Sequence, residues 1–320
     1  MLKWRERGYG YMLFTIKTKR WVEFTLKPCS MPVSWLVMAM LAGACQLPNH
    51  HLIHPETIPN TVTQREEDIV RGQLKIHLAW AKPQGRGPFR TVLVHPHGGK
   101  TTEELKGVIW DLASHGYLAV AADYKRMLNG KYRRNTFAWR SAEDVTYALD
   151  YVLENPQVDR SRVALLGFSQ GGMLSLLIAA HADHKIKGVV AYYPVSDFNY
   201  WFAKKRRNFI ERMVFKVIRW HFYNESGATS EQQFVKILHD ASPINHVEQI
   251  QVPVLLVHGD ADTSARLEES QRLQQKLAEL HKPVDLLVVP GGVHIFNFRQ
   301  AEQGRFAWNY TLEWLDGVLR

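Results

Sequence analysis

The chain has 320 residues, 46% of them apolar and 22% charged, with two cysteines and a formal net charge of +9. That apolar fraction excludes wholesale disorder, and so few cysteines exclude a disulfide-stapled miniprotein. The sequence holds no run of about 18 uncharged apolar residues, so a polytopic membrane protein is excluded and one large globular domain, at most two, remains.

The positive charge is local. Residues 1–45 carry Lys3, Arg5, Arg7, Lys17, Lys19, Arg20 and Lys27 against Glu6 and Glu23, a net +5. Residues 198–224 carry Lys204, Lys205, Arg206, Arg207, Arg212, Lys216 and Arg219 against Glu211, a net +6. Everything else sums to −2, so the basic balance does not indicate a nucleic-acid-binding body and no nucleic-acid partner is expected.

The first patch reads as targeting. It precedes MPVSWLVMAMLAGA, residues 31–44, an uncharged and mostly apolar segment that ends in small residues directly before Cys45. A positive region, a short apolar core and small terminal residues describe a secretory signal, and the segment is short for a membrane span. Leu41-Ala42-Gly43-Ala44-Cys45 resembles a bacterial lipobox, with Ala42 standing where that pattern prefers Leu. The expectation is an exported, membrane-anchored periplasmic lipoprotein carrying its lipid on Cys45; plain secretion, an uncleaved anchor and a cytoplasmic protein are the alternatives. Beyond the signal segment at 1–45, residues 46–70 are polar and unperiodic, and read as a tether that contains the solvated His50, His51 and His54. Residues 71–320 form the body, which has no cysteine to serve as a nucleophile.

In the body, strands and helices alternate. Residues 74–81 and 90–95 are strand-like, 103–114 read as a helix ended by Gly116, and 117–122 as the next strand. Ala142, Val145, Leu149, Val152 and Leu153 fall at helical spacing, so residues 141–154 form an amphipathic helix with Ser141 as its N-cap. A strand over 162–166, a helix over 171–181 and a strand over 188–192 follow. Residues 252–257 and 284–289 are short continuous apolar runs, the pattern of strands buried on both faces, and a helix over 267–280 lies between them. Trp308, Leu312, Leu315 and Leu319 give the last helix its apolar stripe. This alternation predicts an α/β fold, a mostly parallel sheet covered on both faces. Residues 198–250 break the pattern as a helical lid insertion.

The segment Val163-Ala164-Leu165-Leu166-Gly167-Phe168-Ser169-Gln170-Gly171-Gly172 is a Gly-x-Ser-x-Gly motif between a buried strand and a helix. A serine on so sharp a bend projects its oxygen from the carboxyl edge of the sheet, and the flanking glycines remove Cβ atoms that would collide there. Ser169 is therefore the candidate nucleophile, and the following helix N-terminus favours developing negative charge. A serine hydroxyl needs a base. His294, in Gly291-Gly292-Val293-His294 after the last strand, occupies that place; the alternative is a surface histidine capping the last helix. The orienting carboxylate is expected after 252–257, in His258-Gly259-Asp260-Ala261-Asp262, with Asp262 the choice, Asp260 its competitor and Asp197 a remainder. The order Ser169, Asp262, His294 is that of a Ser-Asp-His triad. Oxyanion donors are expected at the N–H groups of Gln170 and of Gly99, in the loop His95-Pro96-His97-Gly98-Gly99. The His95-x-His97 pair could also bind a metal, but no acidic or cysteine partner stands near it in sequence, and the triad chemistry requires neither metal nor organic cofactor.

With these motifs, AEDVTYALDYV, VDRSRVALLGFSQGG, PVLLVHGDAD, PGGVH and the HPHGG loop, the sequence resembles the α/β-hydrolase superfamily, in its dienelactone-hydrolase and prolyl-oligopeptidase-like branch. The resemblance covers most of residues 75–320. Dienelactone hydrolases use a cysteine where this chain has Ser169, and oligopeptidases carry a propeller for which residues 71–320 leave no room. The resemblance implies the α/β-hydrolase fold and an acyl-transfer mechanism on a small ester or peptide. Carboxylic esters are the first expectation, short peptides the second, and a catalytically silent binding domain the third.

Within the insertion, Phe209, Met213, Val217 and Trp220 recur at helical spacing and predict one apolar face packed on the body, with the basic residues solvated. An anionic substrate group or an anionic lipid is the other reading of this basic, aromatic-rich stretch.

Overall fold

A computed structural model describes residues 52–182, 185–204 and 209–320. The signal-like segment with Cys45, and also His50, His51, Lys205, Arg206 and Arg207, lie outside the described residues. Among the described residues, nine strands form one mixed sheet in the order β1-β2-β4-β3-β6-β7-β8-β9, with β5 paired to β4. They are β1 Val62–Arg71, β2 Leu74–Pro83, β3 Phe89–His95, β4 Leu118–Leu128, β5 Lys131–Arg134, β6 Val158–Phe168, β7 Gly188–Tyr192, β8 Val254–Gly259 and β9 Val284–Val289. The β1–β2, β2–β4 and β4–β5 pairings are antiparallel, and every pairing from β4 through β3 to β9 is parallel.

The α/β reading of the sequence holds, with three corrections. Strand β1 occupies residues expected to be tether; its exposed, charged face hides its periodicity, while Val62 and Ile69 turn inward. The hairpin strand β5 was not expected. The run at 284–289 forms the outer strand β9, where Leu286 and Leu287 are only partly buried, whereas β8 is buried at every position.

The helices follow from their sequences. A 3-10 turn, Thr102–Leu105, begins with a capping box between Thr101 and Glu104 and leads into α1, Lys106–Ser114. Helix α2, Ala142–Glu154, is capped by the Ser141 hydroxyl, which accepts from the Asp144 amide at 3.2 Å. Helix α3 spans Gln170–His181. The insertion folds as α4 Phe198–Ala203, α5 Phe209–Ser226 and α6 Glu231–Asp240. Helices α7, Leu267–Glu279, and α8, Ala301–Val318, complete the body. Apolar side chains of α2, α3, α7 and the insertion cover one face of the sheet, and those of α1 and α8 cover the other. Because β6, β8 and β9 run parallel, the loops that leave their carboxyl ends gather along one rim.

The expected inward stripe of α5 is reversed as well. Phe209, Met213 and Trp220 are exposed, and Phe215, Ile218 and Phe222 are the buried set. The helix has apolar residues on both sides. Its phase is fixed by Trp201 of α4, which meets Phe215 at 5.0 Å, and by Phe137 and Phe198, which each meet Phe222 at 5.6 Å.

Candidate active site

Ser169 ends β6 and begins α3 with φ +52° and ψ −113°, a conformation costly for any residue with a Cβ. The turn is so tight that a Cβ on Gly167 or Gly171 would lie within 3.0 Å of the backbone of Gly171 or His95, closer than such atoms approach. The Ser169 amide donates to the Tyr192 carbonyl on β7 at 2.8 Å and ties the bend to the sheet.

The three side chains expected from sequence converge. Ser169 Oγ lies 3.0 Å from His294 Nε2, and His294 Nδ1 lies 2.6 Å from Asp262 Oδ2. The other carboxylate oxygen accepts from the amides of Ser264 at 2.8 Å and Ala265 at 3.0 Å. Burial would raise the Asp262 pKa, but the charge and hydrogen bonds of His294 and His258 outweigh it and hold the carboxyl down at about 2. Asp262 is therefore ionised at neutral pH and fixes a proton on His294 Nδ1, which leaves Nε2 free to accept one.

The competing carboxylates have other partners. Asp260 Oδ1 accepts from the Gly291 amide at 2.7 Å, and Asp197 caps α4 through the Tyr200 amide while binding Arg272 Nη2 at 2.9 Å. The two loops touch backbone to backbone, since a Cβ on Gly259 would overlap Gly292. The Ala261 amide also donates to the Gly292 carbonyl at 3.1 Å. This contact sets the distance between Asp262 and His294.

The Gln170 amide is in the first turn of α3, where backbone N–H groups lack intrahelical acceptors. The glycine loop abuts it, because a Cβ at Gly98 would meet Gln170 Oε1 at 3.0 Å. Gly99 follows at φ +74°, with its carbonyl engaged by the Arg134 guanidinium. Two candidate donor loops thus lie side by side next to the serine.

The sequence did not single out several supporting residues. Buried Tyr193, at φ +37°, sets its ring edge-on to His294 at 5.0 Å and donates its hydroxyl to Asn297 Oδ1. Gln170 Nε2 donates to the Thr136 carbonyl at 3.3 Å, and Glu225 of α5 accepts from the Thr136 amide at 3.0 Å, which joins the insertion to the rim. Buried Glu269 on α7 accepts from the amides of Ser196 at 3.1 Å and Asp197 at 3.0 Å. Its burial outweighs those bonds and pushes its carboxyl up to about 7.

The histidine pair is divided. Buried His95 Nδ1 pairs with Ser175 Oγ at 2.8 Å, and His97 stands 5.7 Å from the Phe298 ring. Among the described residues, no cluster of three or more His, Cys, Asp or Glu side chains is arranged to hold a metal. His54 is not solvated as expected; it is buried, with Nδ1 2.9 Å from Asp111 Oδ2 and its ring edge-on to Trp308 at 4.6 Å.

A hydroxyl, an imidazole and a buried carboxylate in this sequence of contacts can pass a proton from serine to a leaving group. Comparison with known proteins agrees with that chemistry. The chain is 28% identical over 224 residues to "Uncharacterized peptidase YtmA" of Bacillus subtilis (strain 168), covering 70% of this chain and 82% of that one. It spans only 21% of acylamino-acid-releasing enzyme 2 of Oryza sativa subsp. japonica, at 22% identity over 51% of its own length. Two solved structures share the fold. Pyrococcus horikoshii acylaminoacyl peptidase matches with a TM-score of 0.64 at 20% identity over 81% of this chain and 42% of its own. The carboxylesterase EstE1, cloned from a metagenomic library, matches with a TM-score of 0.63 at 19% identity over 90% and 97%. The model of the prolyl oligopeptidase family matches residues 112–320, which hold Ser169, Asp262 and His294. The chain belongs to the prolyl oligopeptidase family and is a serine hydrolase of the α/β-hydrolase fold.

Proposed function

We propose that this serine hydrolase cleaves carboxylic esters of small molecules through an acyl-enzyme on Ser169. Ser169 Oγ attacks the carbonyl carbon while His294 Nε2 takes its proton, and Asp262 holds the resulting imidazolium. The amides of Gln170 and Gly99 carry the charge on the carbonyl oxygen. Collapse expels the alkoxide, which leaves with the proton from His294. A water then attacks the acyl carbon, gives its proton to His294 and releases the acid, with Ser169 regaining its hydrogen. No metal or organic cofactor enters these steps.

The observation that carries the reading is the relay of 3.0 Å and 2.6 Å from Ser169 through His294 to Asp262. A fluorophosphonate probe tests it: labelling of the folded protein that Ser169→Ala abolishes supports the enzyme, and no labelling favours a silent binding domain. Short or acylated peptides are the second reading, favoured by the peptidase names of the relatives. Paired ester and amide substrates with one acyl group decide between them by kcat/KM. The membrane-anchored, periplasmic placement through a lipid on Cys45 remains part of the proposal, and cell fractionation with metabolic lipid labelling of Cys45 tests it.

A further inference from the structure

The outward side of α5 leaves large apolar side chains in solvent. Trp220 is 67% exposed, Phe209 66% and Met213 45%. At 100° per residue, Phe209, Met213, Lys216 and Trp220 project within about 60° of one another, and exposed Arg212 borders them. Arg219 is turned away, over the Phe234 ring and onto Glu231. The inward side of the same helix is fastened through Phe215, Ile218 and Phe222, so burying the outward side by rotating the helix would unpack that core.

We propose that this outward side of α5 lies on an anionic lipid surface. An aromatic and thioether stripe edged by basic side chains has the composition of a helix that rests in the headgroup region, with the rings inserted and the Lys and Arg stems extended toward phosphate. The basic residues supply the charge complementarity, in a stretch, residues 198–224, whose sequence is net +6 while the remainder outside both patches is −2. None of the described helices is long and apolar enough to cross a membrane, so the helix lies on the surface rather than through it. A second copy of this chain fits less well. A two-fold contact through the stripe would set Arg212 and Lys216 against their own counterparts. Phe306 and Tyr310, exposed on α8, have no comparable basic border: Arg305 shares their helix with Glu302 and Glu313.

The full chain is mixed with phosphatidylglycerol or phosphatidylcholine vesicles whose acyl chains are brominated, and tryptophan quenching is compared with that of Trp220→Phe. The difference isolates Trp220 from the other tryptophans. The expected result is quenching by phosphatidylglycerol vesicles that Trp220→Phe removes in part. It should weaken about tenfold on phosphatidylcholine and about tenfold in Arg212→Glu/Lys216→Glu, with turnover of a soluble ester unchanged. Equal quenching of wild type and Trp220→Phe, or quenching indifferent to lipid charge and to the double reversal, overturns the proposal. A doubling of mass in light scattering that Phe209→Ser abolishes overturns it in favour of a second copy. These readouts do not depend on whether the substrate is an ester or a peptide.

Discussion

His258 stands behind Asp262: its Nε2 lies 3.5 Å from the carboxylate oxygen that also receives His294 Nδ1. The same Nε2 faces the Ala265 carbonyl at 2.7 Å, so it bears the hydrogen, and Nδ1 meets Ser270 Oγ at 2.7 Å. The ring pins the loop that carries Asp262 to β8 on one side and α7 on the other. His258→Phe is expected to lower kcat about tenfold with KM little changed, and to cost about 1–3 kcal/mol of stability from unpaired buried groups. Partial rescue by His258→Gln, which keeps a donor, separates positioning from simple loss of packing; steady-state kinetics and denaturant unfolding are the measurements.

Glu269 gives the fold a pH dependence of unusual sign for a carboxyl group. Its folded pKa of about 7 lies above the ordinary 4.5. The native state therefore holds a proton that the unfolded chain releases, so this contribution is fully present below about pH 4.5 and is lost as pH rises to about 7. The shift corresponds to roughly 3 kcal/mol. Glu269→Gln, which still accepts the Ser196 and Asp197 amides, is expected to gain thermal stability over wild type at pH 8 and little at pH 5.

Ser169 occupies a backbone conformation suited to glycine. Ser169→Gly should be more stable than Ser169→Ala by about 1 kcal/mol, while both lose hydrolysis. Calorimetry of the two inactive proteins checks this, and equal midpoints would remove the strain argument.

Gly259→Ala is expected to inactivate and destabilise the protein by several kcal/mol, on the order of the largest single-site effects, because its methyl group overlaps the Gly292 backbone. Gly317→Ala, on α8 with open space around it, should be neutral or mildly stabilising in the same unfolding assay.

The sequence revealed what is local. Ser169 could be read from a motif that dictates its own turn, and Asp262 and His294 from their places after buried strands. Residues whose partners are remote were not legible. Glu269 reads as one more charge in the first turn of a polar helix, and only the fold brings Ser196 to it. Tyr193 gives no signal of its own beside a histidine 101 positions later. The reversed face of α5 has the same cause: a helix apolar on two sides does not state its phase, and Phe137, Phe198 and Trp201 supply it from elsewhere.

The clamp of His54 between Asp111 and Trp308 fixes how long a leash the domain can have at its amino end. Only nine residues of chain lie from Cys45 to that clamp, about 30 Å when fully stretched. Were Cys45 the point of attachment that we propose, His54 could stand no farther than that stretch from its support.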